Sequence, residues 1–187
     1  MKVVFLDRDG VINKFPGNGN YVTKVKDFHF LPRALDAIRI LTESGYAIFV
    51  VSNQAGVGKG VYSRQKLRAI NQRMLKEVAA NGGRIKKAFY CTHRSDAGCE
   101  CRKPRLGSVY KAFHSLKKSI GAARSSFFVG DTEVDIAAGH NAGCKTIFVL
   151  SGGQDRRTMR RWKVKPDYIV KDLYEAVGII LKARRSV

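Results

Sequence analysis

Polar side chains that could carry chemistry follow several short apolar runs in the 187-residue sequence. Asp7 and Asp9 come at the end of one run, Asp131 comes at the end of another, and Asp135 lies one helical turn beyond it, while Lys103 lies between the two runs. A carboxylate can attack phosphorus as a nucleophile. A second carboxyl two residues further on lies on the same side of an extended strand and can transfer protons. A lysine can neutralise phosphoryl oxygens, so these residue types indicate phosphoryl transfer.

The same carboxylates indicate a divalent cation. Closely spaced carboxylates repel one another unless a cation joins them, and Mg²⁺ prefers hard oxygen ligands. Ser52, Asn53 and Gln54 end a further apolar run and would add a hydroxyl and two amides. Each of these groups taken alone is more often a turn or helix-capping residue. The indication comes from their order and from their shared position after apolar runs.

A second constellation combines thiols with an imidazole. Its members are Cys91, His93, Cys99 and Cys101. Three thiols and one imidazole at this spacing can coordinate Zn²⁺ tetrahedrally, and four protein ligands leave no open position for a substrate. We therefore expect a structural zinc that stiffens the segment presenting Arg102 and Lys103. A disulfide is the alternative interpretation, but thiols in the cytoplasm stay reduced.

The elements that must position these residues alternate along the chain between short apolar runs and longer amphipathic stretches. Strands are predicted at Val3–Asp7, Ala47–Ser52, Lys87–Cys91, Ser126–Asp131, Lys145–Leu150 and Asp167–Val170. Helices are predicted at Pro32–Ser44, Ser63–Ala80, Gly107–Ser119, Thr132–Ala142 and Leu173–Lys182. Pro32 suits a first helical position, and Gly45 suits a helix stop. This order predicts a doubly wound parallel α/β sheet, with ligands at the carboxyl ends of its strands.

Two segments interrupt this alternation. Val11–Phe30 contains the glycine- and asparagine-rich stretch Gly17–Asn20 and is predicted to be a hairpin or flap after the first strand. Cys91–Lys103 is the predicted zinc loop. Both are too short for a second domain, so we expect residues 1–187 to form one domain without a large cap domain.

Composition excludes several classes of protein. Hydrophobic residues make up 44% of the chain, which argues against extensive disorder. No apolar run is long enough for a membrane span, and Asp7 interrupts the N-terminal run before it could form a signal peptide. We therefore expect a cytoplasmic protein with no membrane partner; its oligomeric state stays open, with a monomer favoured.

The net charge of +20 attracts phosphate-bearing partners of any size. Basic residues are densest in residues 156–165, where Trp162 is the one aromatic residue. A base-stacking surface is therefore not indicated, and a solvated basic surface is the simpler interpretation. A nucleic-acid partner stays open but is not favoured.

Four motifs resemble those of the haloacid dehalogenase (HAD) superfamily of phosphatases. They are FLDRDGVIN (Phe5–Asn13), VVSNQAGVGKG (Val50–Gly60), CECRKP (Cys99–Pro104) and FFVGDTEVD (Phe127–Asp135). More closely, they resemble the histidinol-phosphatase and D-glycero-D-manno-heptose-1,7-bisphosphate phosphatase group, whose members carry a matching zinc loop. The resemblance covers essentially the whole chain. It implies a HAD-like Rossmannoid fold and a Mg²⁺-dependent phosphatase that acts through an aspartyl-phosphate.

The resemblance also implies roles for individual residues. Asp7 would be the nucleophile and Asp9 the general acid/base, while Ser52 and Lys103 would steady the transferring phosphoryl group. Mg²⁺ would be held by Asp7, the backbone carbonyl of Asp9 and Asp131, and Zn²⁺ by Cys91, His93, Cys99 and Cys101. Substrate contacts would come from Asn53, Gln54, Arg102 and the flap residues Asn20 and Tyr21. Asp135 is expected to lie behind the site and to hold Lys103.

Several functions stay open at this point. The leading hypothesis is removal of the 7-phosphate from D-glycero-D-manno-heptose 1,7-bisphosphate, a small phosphorylated metabolite. The same chemistry on histidinol phosphate is the first alternative. A nucleic-acid end-processing phosphatase is a less favoured alternative, prompted by the net charge. A zinc-stabilised binding module without catalysis would not explain why Asp7, Asp9, Lys103 and Asp131 occur together.

Overall fold

A six-stranded parallel sheet organises the computed structural model, which describes residues 2–185. The strands are β1 (Val3–Leu6), β2 (Ala47–Asn53), β3 (Ile85–Cys91), β4 (Phe127–Gly130), β5 (Lys145–Val149) and β6 (Tyr168–Val170). They lie in the order β3-β2-β1-β4-β5-β6, and every neighbouring pair is parallel. The predicted doubly wound sheet and all six predicted strands are confirmed.

Helices lie in the connections between the strands and after the last strand. They are α1 (Ala34–Glu43), α2 (Ala55–Gly58), α3 (Arg64–Ala80), α4 (Gly107–Ser115), α5 (Glu133–Ala142), α6 (Arg156–Met159) and α7 (Leu173–Arg185). The short helices α2 and α6 were not predicted. The prediction that Pro32 begins a helix is wrong, because α1 starts at Ala34 after Arg33, which adopts a left-handed conformation with φ of 60°. Gly45 ends α1 as predicted, with φ of 78°.

Both faces of the sheet are buried. On one face, Val4 and Leu6 of β1 belong to an apolar cluster that α1, α3 and α7 complete. On the other face, Val3 and Phe5 belong to a cluster completed by α4 and α5. A strand covered on both sides is apolar at every position, which is why the strands read as continuous apolar runs in the sequence.

The flap between β1 and α1 is fastened to the core. Val22 and Phe28 are almost completely buried and pack in the same cluster as α1 and α3. The predicted hairpin is reduced to one antiparallel bridge between Asn13 and Phe30, and Asn13 also bridges Asp9. The flap therefore covers the carboxyl end of β1 as an anchored loop.

The strand order places the reversal of the sheet between β1 and β4. The two strands end in Leu6 and Gly130, so Asp7 and Asp131 follow neighbouring strands at the same edge. Ligands of open α/β sheets bind at such a reversal point. Among residues 2–185, no helix combines the length and apolar composition that a membrane crossing would need.

Candidate active site

A cleft of about 340 Å³ lies at this edge of the sheet. Its walls include most residues that the sequence singled out: Asp7, Asp9, Asn20, Tyr21, Ser52, Asn53, Lys103, Asp131 and Asp135. The strand ends supply the carboxylates and the hydroxyl, the flap supplies Asn20 and Tyr21, and the segment after the Cys/His loop supplies Lys103.

Lys103 is the central cation of the cleft and is 4% exposed. Its Nζ lies 2.8 Å from Asp7 Oδ1 and 2.5 Å from Asp135 Oδ1, and it donates to the carbonyl of Val51 at 2.7 Å. Burial alone would lower the pKa of this lysine, but the carboxylates of Asp135 and Asp7 outweigh burial and raise it. Lys103 is therefore a fixed positive charge at any working pH.

The carboxylates outnumber that cation. Burial raises the pKa of Asp7 to about 6, and repulsion from Asp135 and Asp9 adds to the effect while Lys103 opposes it. Burial, together with Asp135 and Asp7, raises the pKa of Asp131 well above its ordinary value. Oxygen atoms of Asp7, Asp131 and Asp135 all lie within 4.8 Å of one another. Three carboxylates around one ammonium leave an excess of negative charge, and a hard divalent cation fits this set of donors.

Two glycines make room for the Asp131 carboxylate. A Cβ on Gly10 would lie 2.3 Å from Asp131 Oδ2, and a Cβ on Gly152 would lie 2.0 Å from it. Gly10 also has φ of 84°, where side chains are strained. The backbone N–H of Gly153 donates to Asp131 Oδ2 at 2.6 Å. The loops after β1 and β5 thus enclose this carboxylate closely, which explains a glycine at each position.

Asp9 accepts hydrogen bonds from three side chains. The guanidinium of fully buried Arg8 contacts both carboxylate oxygens at 2.9–3.2 Å. Asn13 Nδ2 donates to Oδ1 at 2.8 Å, and Gln54 Nε2 donates to Oδ2 at 2.7 Å. Sequence reasoning missed Arg8 and Asn13. A charged residue between Asp7 and Asp9, next to a buried strand, needs a buried partner, and that requirement could have identified Arg8.

Gln54 lies behind the cleft wall and is 1% exposed. Besides Asp9, its Nε2 also donates to Ser52 Oγ at 3.2 Å, and its Oε1 accepts from Tyr62. The expected contact between Gln54 and substrate is therefore not available in this arrangement, because neighbouring side chains occupy the amide. The buried amide orients two cleft residues.

Asn53 and Asp135 both fasten Lys103. Asn53 Oδ1 accepts from the backbone N–H of Lys103 at 3.1 Å, and its Nδ2 donates to the Lys103 carbonyl at 3.2 Å. Asp135 pairs with the Lys103 ammonium through Oδ1 and accepts from the N–H and hydroxyl of Thr132 through Oδ2 at 3.1 and 2.6 Å. The expected contact between Asp135 and Lys103 is present. Asp135 is the third residue of α5, where it also completes a capping box with Thr132.

Arg102 does not line this cleft. It lines an adjoining pocket of about 230 Å³ beside the Cys/His loop, together with Ser95, Cys99 and Arg105, and Lys103 lines both cavities. Its Nη1 is buried without a hydrogen-bond partner among the described residues. Arg102 is therefore not placed, in this arrangement, to make the expected contact with a substrate bound at Asp7.

The four Cys and His side chains meet in one cluster. Cys91 Sγ lies 3.5 Å from Cys99 Sγ and 3.8 Å from His93 Nδ1, while Cys101 Sγ lies 3.7 Å from Cys99 Sγ and 3.2 Å from His93 Nδ1. These separations suit the edges of a tetrahedron whose bonds are about 2.0–2.3 Å long, as in Zn²⁺ sites. All the cysteines are free, so the disulfide interpretation is wrong. Burial opposes ionisation of Cys99, but hydrogen bonds from Cys91 and Cys101 lower its pKa to about 7.

The remaining cleft wall was not predicted. Phe15 and Pro16 of the flap, Glu133 of α5 and Gln154 after β5 line it. Gln154 Oε1 accepts from the Glu133 N–H at 2.8 Å and so joins two of these elements. The polar, glycine-rich segment after β5 could have been found by applying the strand-end rule to β5 as well.

The chain is similar to one family of hydrolases. The HAD-hydrolase-like family model matches residues 100–176. A D-glycero-D-manno-heptose-1,7-bisphosphate 7-phosphatase of Chlorobaculum tepidum is 35% identical, and the alignment covers 96% of this chain and 94% of that protein. The D-glycero-alpha-D-manno-heptose-1,7-bisphosphate 7-phosphatase of Campylobacter jejuni is 35% identical over 80% of this chain and 83% of its own length. A Pseudomonas putida enzyme named for the beta anomer is 32% identical, with 92% and 95% covered.

A solved structure with this fold holds ligands. The D,D-heptose 1,7-bisphosphate phosphatase of B. bronchiseptica, complexed with magnesium and phosphate, is 30% identical and superposes with a TM-score of 0.88. The match covers 98% of this chain and 99% of that one. The similarity thus extends over the sheet, the flap and the Cys/His loop.

Proposed function

The chain belongs to the HAD-like family of phosphatases, and from this membership we propose that it removes the 7-phosphate from D-glycero-D-manno-heptose 1,7-bisphosphate. The observation that carries the proposal is the cleft itself, in which Asp7, Lys103 and Asp131 meet at the reversal point of the sheet. The substrate follows from relatives of nearly equal length that are named for it.

In the proposed reaction, a carboxylate oxygen of Asp7 attacks phosphorus and the bond to the sugar oxygen breaks. Asp9 gives a proton to that oxygen, then takes one from the water that hydrolyses the aspartyl-phosphate. Lys103 and Ser52 stabilise the negative charge on the phosphoryl oxygens. Among the described residues that line the cleft, Lys103 is the fixed cation for this task, and the sugar leaves with a neutral 7-hydroxyl and its 1-phosphate intact.

Magnesium would be held by Asp7, Asp131 and the backbone carbonyl of Asp9. When bound, it would neutralise the carboxylates and the phosphoryl group so that an anion can approach Asp7. The crowding that raises the pKa values of Asp7 and Asp131 supports this assignment. Asp135 is not needed as a ligand, because Lys103 and Thr132 already use both of its oxygens.

Zinc would be held by Cys91, His93, Cys99 and Cys101 and would have a structural role. The cluster already has the separations of a tetrahedral site, and its fourth position is taken by protein. Because the thiols must stay reduced to bind metal, we also propose a cytoplasmic location.

A phosphate-release panel tests the proposed substrate. Both anomers of the heptose bisphosphate are compared with histidinol phosphate and a 3′-phosphorylated oligonucleotide, since relatives are named for the alpha and the beta sugar. We expect kcat/KM for one heptose anomer to be at least about a hundredfold higher than for histidinol phosphate or the oligonucleotide. This ratio corresponds to a preference of about 2.7 kcal/mol in the transition state. A higher value for histidinol phosphate or the oligonucleotide would overturn the substrate assignment.

A further inference from the structure

A buried amide connects two cleft residues to a tyrosine outside the cleft. Gln54 Nε2 donates to Asp9 Oδ2 at 2.7 Å and to Ser52 Oγ at 3.2 Å, and the amide is nearly inaccessible to solvent. Because Ser52 accepts from Gln54, its own hydroxyl hydrogen is left to donate elsewhere, and Ser52 lines the cleft. One amide therefore contacts two groups beside the phosphoryl position, and it holds Asp9 together with Arg8 and Asn13.

Tyr62 sets the orientation of that amide. Its hydroxyl donates to Gln54 Oε1 at 2.5 Å, and the residue is 3% exposed. Burial raises the pKa of Tyr62 to about 12, so the hydroxyl keeps its proton and is available as a donor. With Oε1 facing Tyr62, Nε2 must face Asp9 and Ser52. A flipped amide would put its oxygen against the Asp9 carboxylate.

The flap reaches the same tyrosine. The Tyr21 ring, which lines the cleft, lies 6.0 Å from the Tyr62 ring between centroids. Both rings approach Gly56 closely, since a Cβ there would lie 2.7 Å from Tyr62 and 2.8 Å from Tyr21. Tyr21 of the flap and Gly56 of α2 therefore both lie against the Tyr62 ring.

We infer that Gln54 and Tyr62 are positioning residues that orient Asp9 for proton transfer to the leaving group and Ser52 for contact with the phosphoryl oxygens. The inference rests on the role of Asp9 in the proposed function. Tyr62 contacts Gln54, and Gln54 contacts Asp9 and Ser52, so both residues act on the substrate through those neighbours. A purely structural role would instead lower stability without changing which leaving groups the enzyme handles.

Tyr62→Phe removes one hydroxyl and keeps the ring packing on Tyr21. The comparison is made on kcat/KM, which reports only the steps up to departure of the leaving group. We expect kcat/KM for the sugar phosphate to fall about tenfold, the kinetic equivalent of losing a buried hydrogen bond. For p-nitrophenyl phosphate, whose leaving group needs no proton, we expect a smaller fall of about twofold, because only the contact of Ser52 with the phosphoryl oxygens is affected.

Tyr46→Phe is the matched control. Tyr46 is also a buried tyrosine, 6% exposed, and its hydroxyl donates to the carbonyl of Ile180 far from the cleft. This variant should lose some thermal stability and leave the ratio of the two kcat/KM values unchanged. The same fall for both substrates in Tyr62→Phe, or an altered ratio in Tyr46→Phe, would overturn the inference.

Gln54→Glu is the stronger variant. It keeps the shape and the acceptor for Tyr62 but replaces the amide donor by an oxygen facing Asp9 and Ser52. We expect it to lower kcat/KM for the sugar phosphate about a hundredfold, more than Tyr62→Phe does. A smaller loss than in Tyr62→Phe would contradict the inference. If wild-type protein hydrolyses neither substrate, the proposed function is wrong. If wild-type protein is active and the variants have the same kcat/KM values as wild type, only the positioning role is wrong.

Discussion

The carboxylate cluster of the cleft and the Cys/His cluster of the neighbouring loop differ in what holds their side chains in place. Asp7 and Asp131 extend from the ends of buried strands, and Asp135 is fastened by Lys103 and Thr132. In the loop, Cys91 ends β3 and is buried, but residues 94–98 are all exposed, and His93, Cys99 and Cys101 come close to Cys91 and to one another. The fold positions the first cluster, whereas in the second it positions Cys91 and leaves the other three members dependent on whatever joins them.

The two clusters are coupled through Lys103, which lies two residues after Cys101. Fixing a loop costs about 1–2 kcal/mol per residue in conformational entropy. A metal bound by the thiols can offset that cost. The comparison therefore suggests a division of tasks: one cation would act in the chemistry, and the other would keep the Lys103 segment in place.

Asp7→Asn should have the largest effect, because it removes the proposed nucleophile and keeps its shape. An amide cannot form the aspartyl-phosphate, so we expect turnover to fall at least about a thousandfold, within the ~10²–10⁴-fold range of single catalytic groups. Phosphate release is measured alongside circular dichroism, which should be unchanged. A folded variant that keeps more than a few per cent of wild-type turnover would show that Asp7 is not the nucleophile.

Removing magnesium should come next. We expect phosphate release to fall to background after EDTA treatment and to return with Mg²⁺ but not with Ca²⁺, because Ca²⁺ takes more ligands at longer distances. Zinc content is measured in the same samples, since EDTA can also remove zinc from the Cys/His loop. Full activity with no detectable magnesium would rule out the metal–carboxylate mechanism for the cleft.

The crowded carboxylates should also make magnesium-free protein sensitive to pH. The pKa of Asp7 is raised from 3.8 to about 6, so its folded form holds a proton more tightly than its unfolded form. The stability that this proton contributes is fully present below about pH 4 and is lost as pH rises through about 6, up to about 3 kcal/mol. Urea unfolding, with zinc retained, should show a larger loss in wild type than in Asp7→Asn, where the raised pKa of Asp131 still contributes. Parallel pH profiles would contradict it.

The strands and the long helices could be predicted because burial on both faces leaves uninterrupted apolar runs and amphipathic stretches of clear period. The errors fall where such a signal is missing. Helices α2 and α6 have four residues each, too few to show a period. Pro32 suits a helix start by its fixed φ, but Arg33 turns left-handed before α1 begins.

In the cleft, strand ends and motif order were enough to bring together Asp7, Lys103 and Asp131. They could not show which way Gln54 turns, because its direction is set by Asp9 and Tyr62, which come from other parts of the chain. The direction of the Arg102 side chain could not be predicted either, because it lines the pocket beside the Cys/His loop and not the cleft.

Cys99→Ser tests the coupling between the clusters. Loss of one ligand should remove zinc, loosen the loop and misplace Lys103, so that kcat/KM falls about tenfold, the lower end of what supporting residues of metal sites contribute. The sheet should stay folded, as judged by circular dichroism. Cys144→Ser is the matched control, since Cys144 is a buried cysteine immediately before β5 and outside the cluster, and it should keep one zinc per chain. A zinc-free Cys99→Ser variant with wild-type kinetics would show that the two clusters are not coupled.

The smallest effect is expected from the ion pair between Arg94 and Asp96 in the exposed part of the loop. Arg94 and Asp96 approach at 3.3 Å, but their side chains are 60% and 69% exposed, and pairs in water contribute little because solvent screens them. If metal rather than this pair orders the loop, Asp96→Asn should keep one zinc per chain and leave kcat/KM within about twofold of wild type, the effect of a weak surface pair. Elemental analysis and phosphate release on the same preparation measure both quantities. Loss of zinc, or a fall in kcat/KM as large as in Cys99→Ser, would mean that the surface ion pair orders the loop. The Cys/His cluster would then depend on protein contacts, as the carboxylate cluster does.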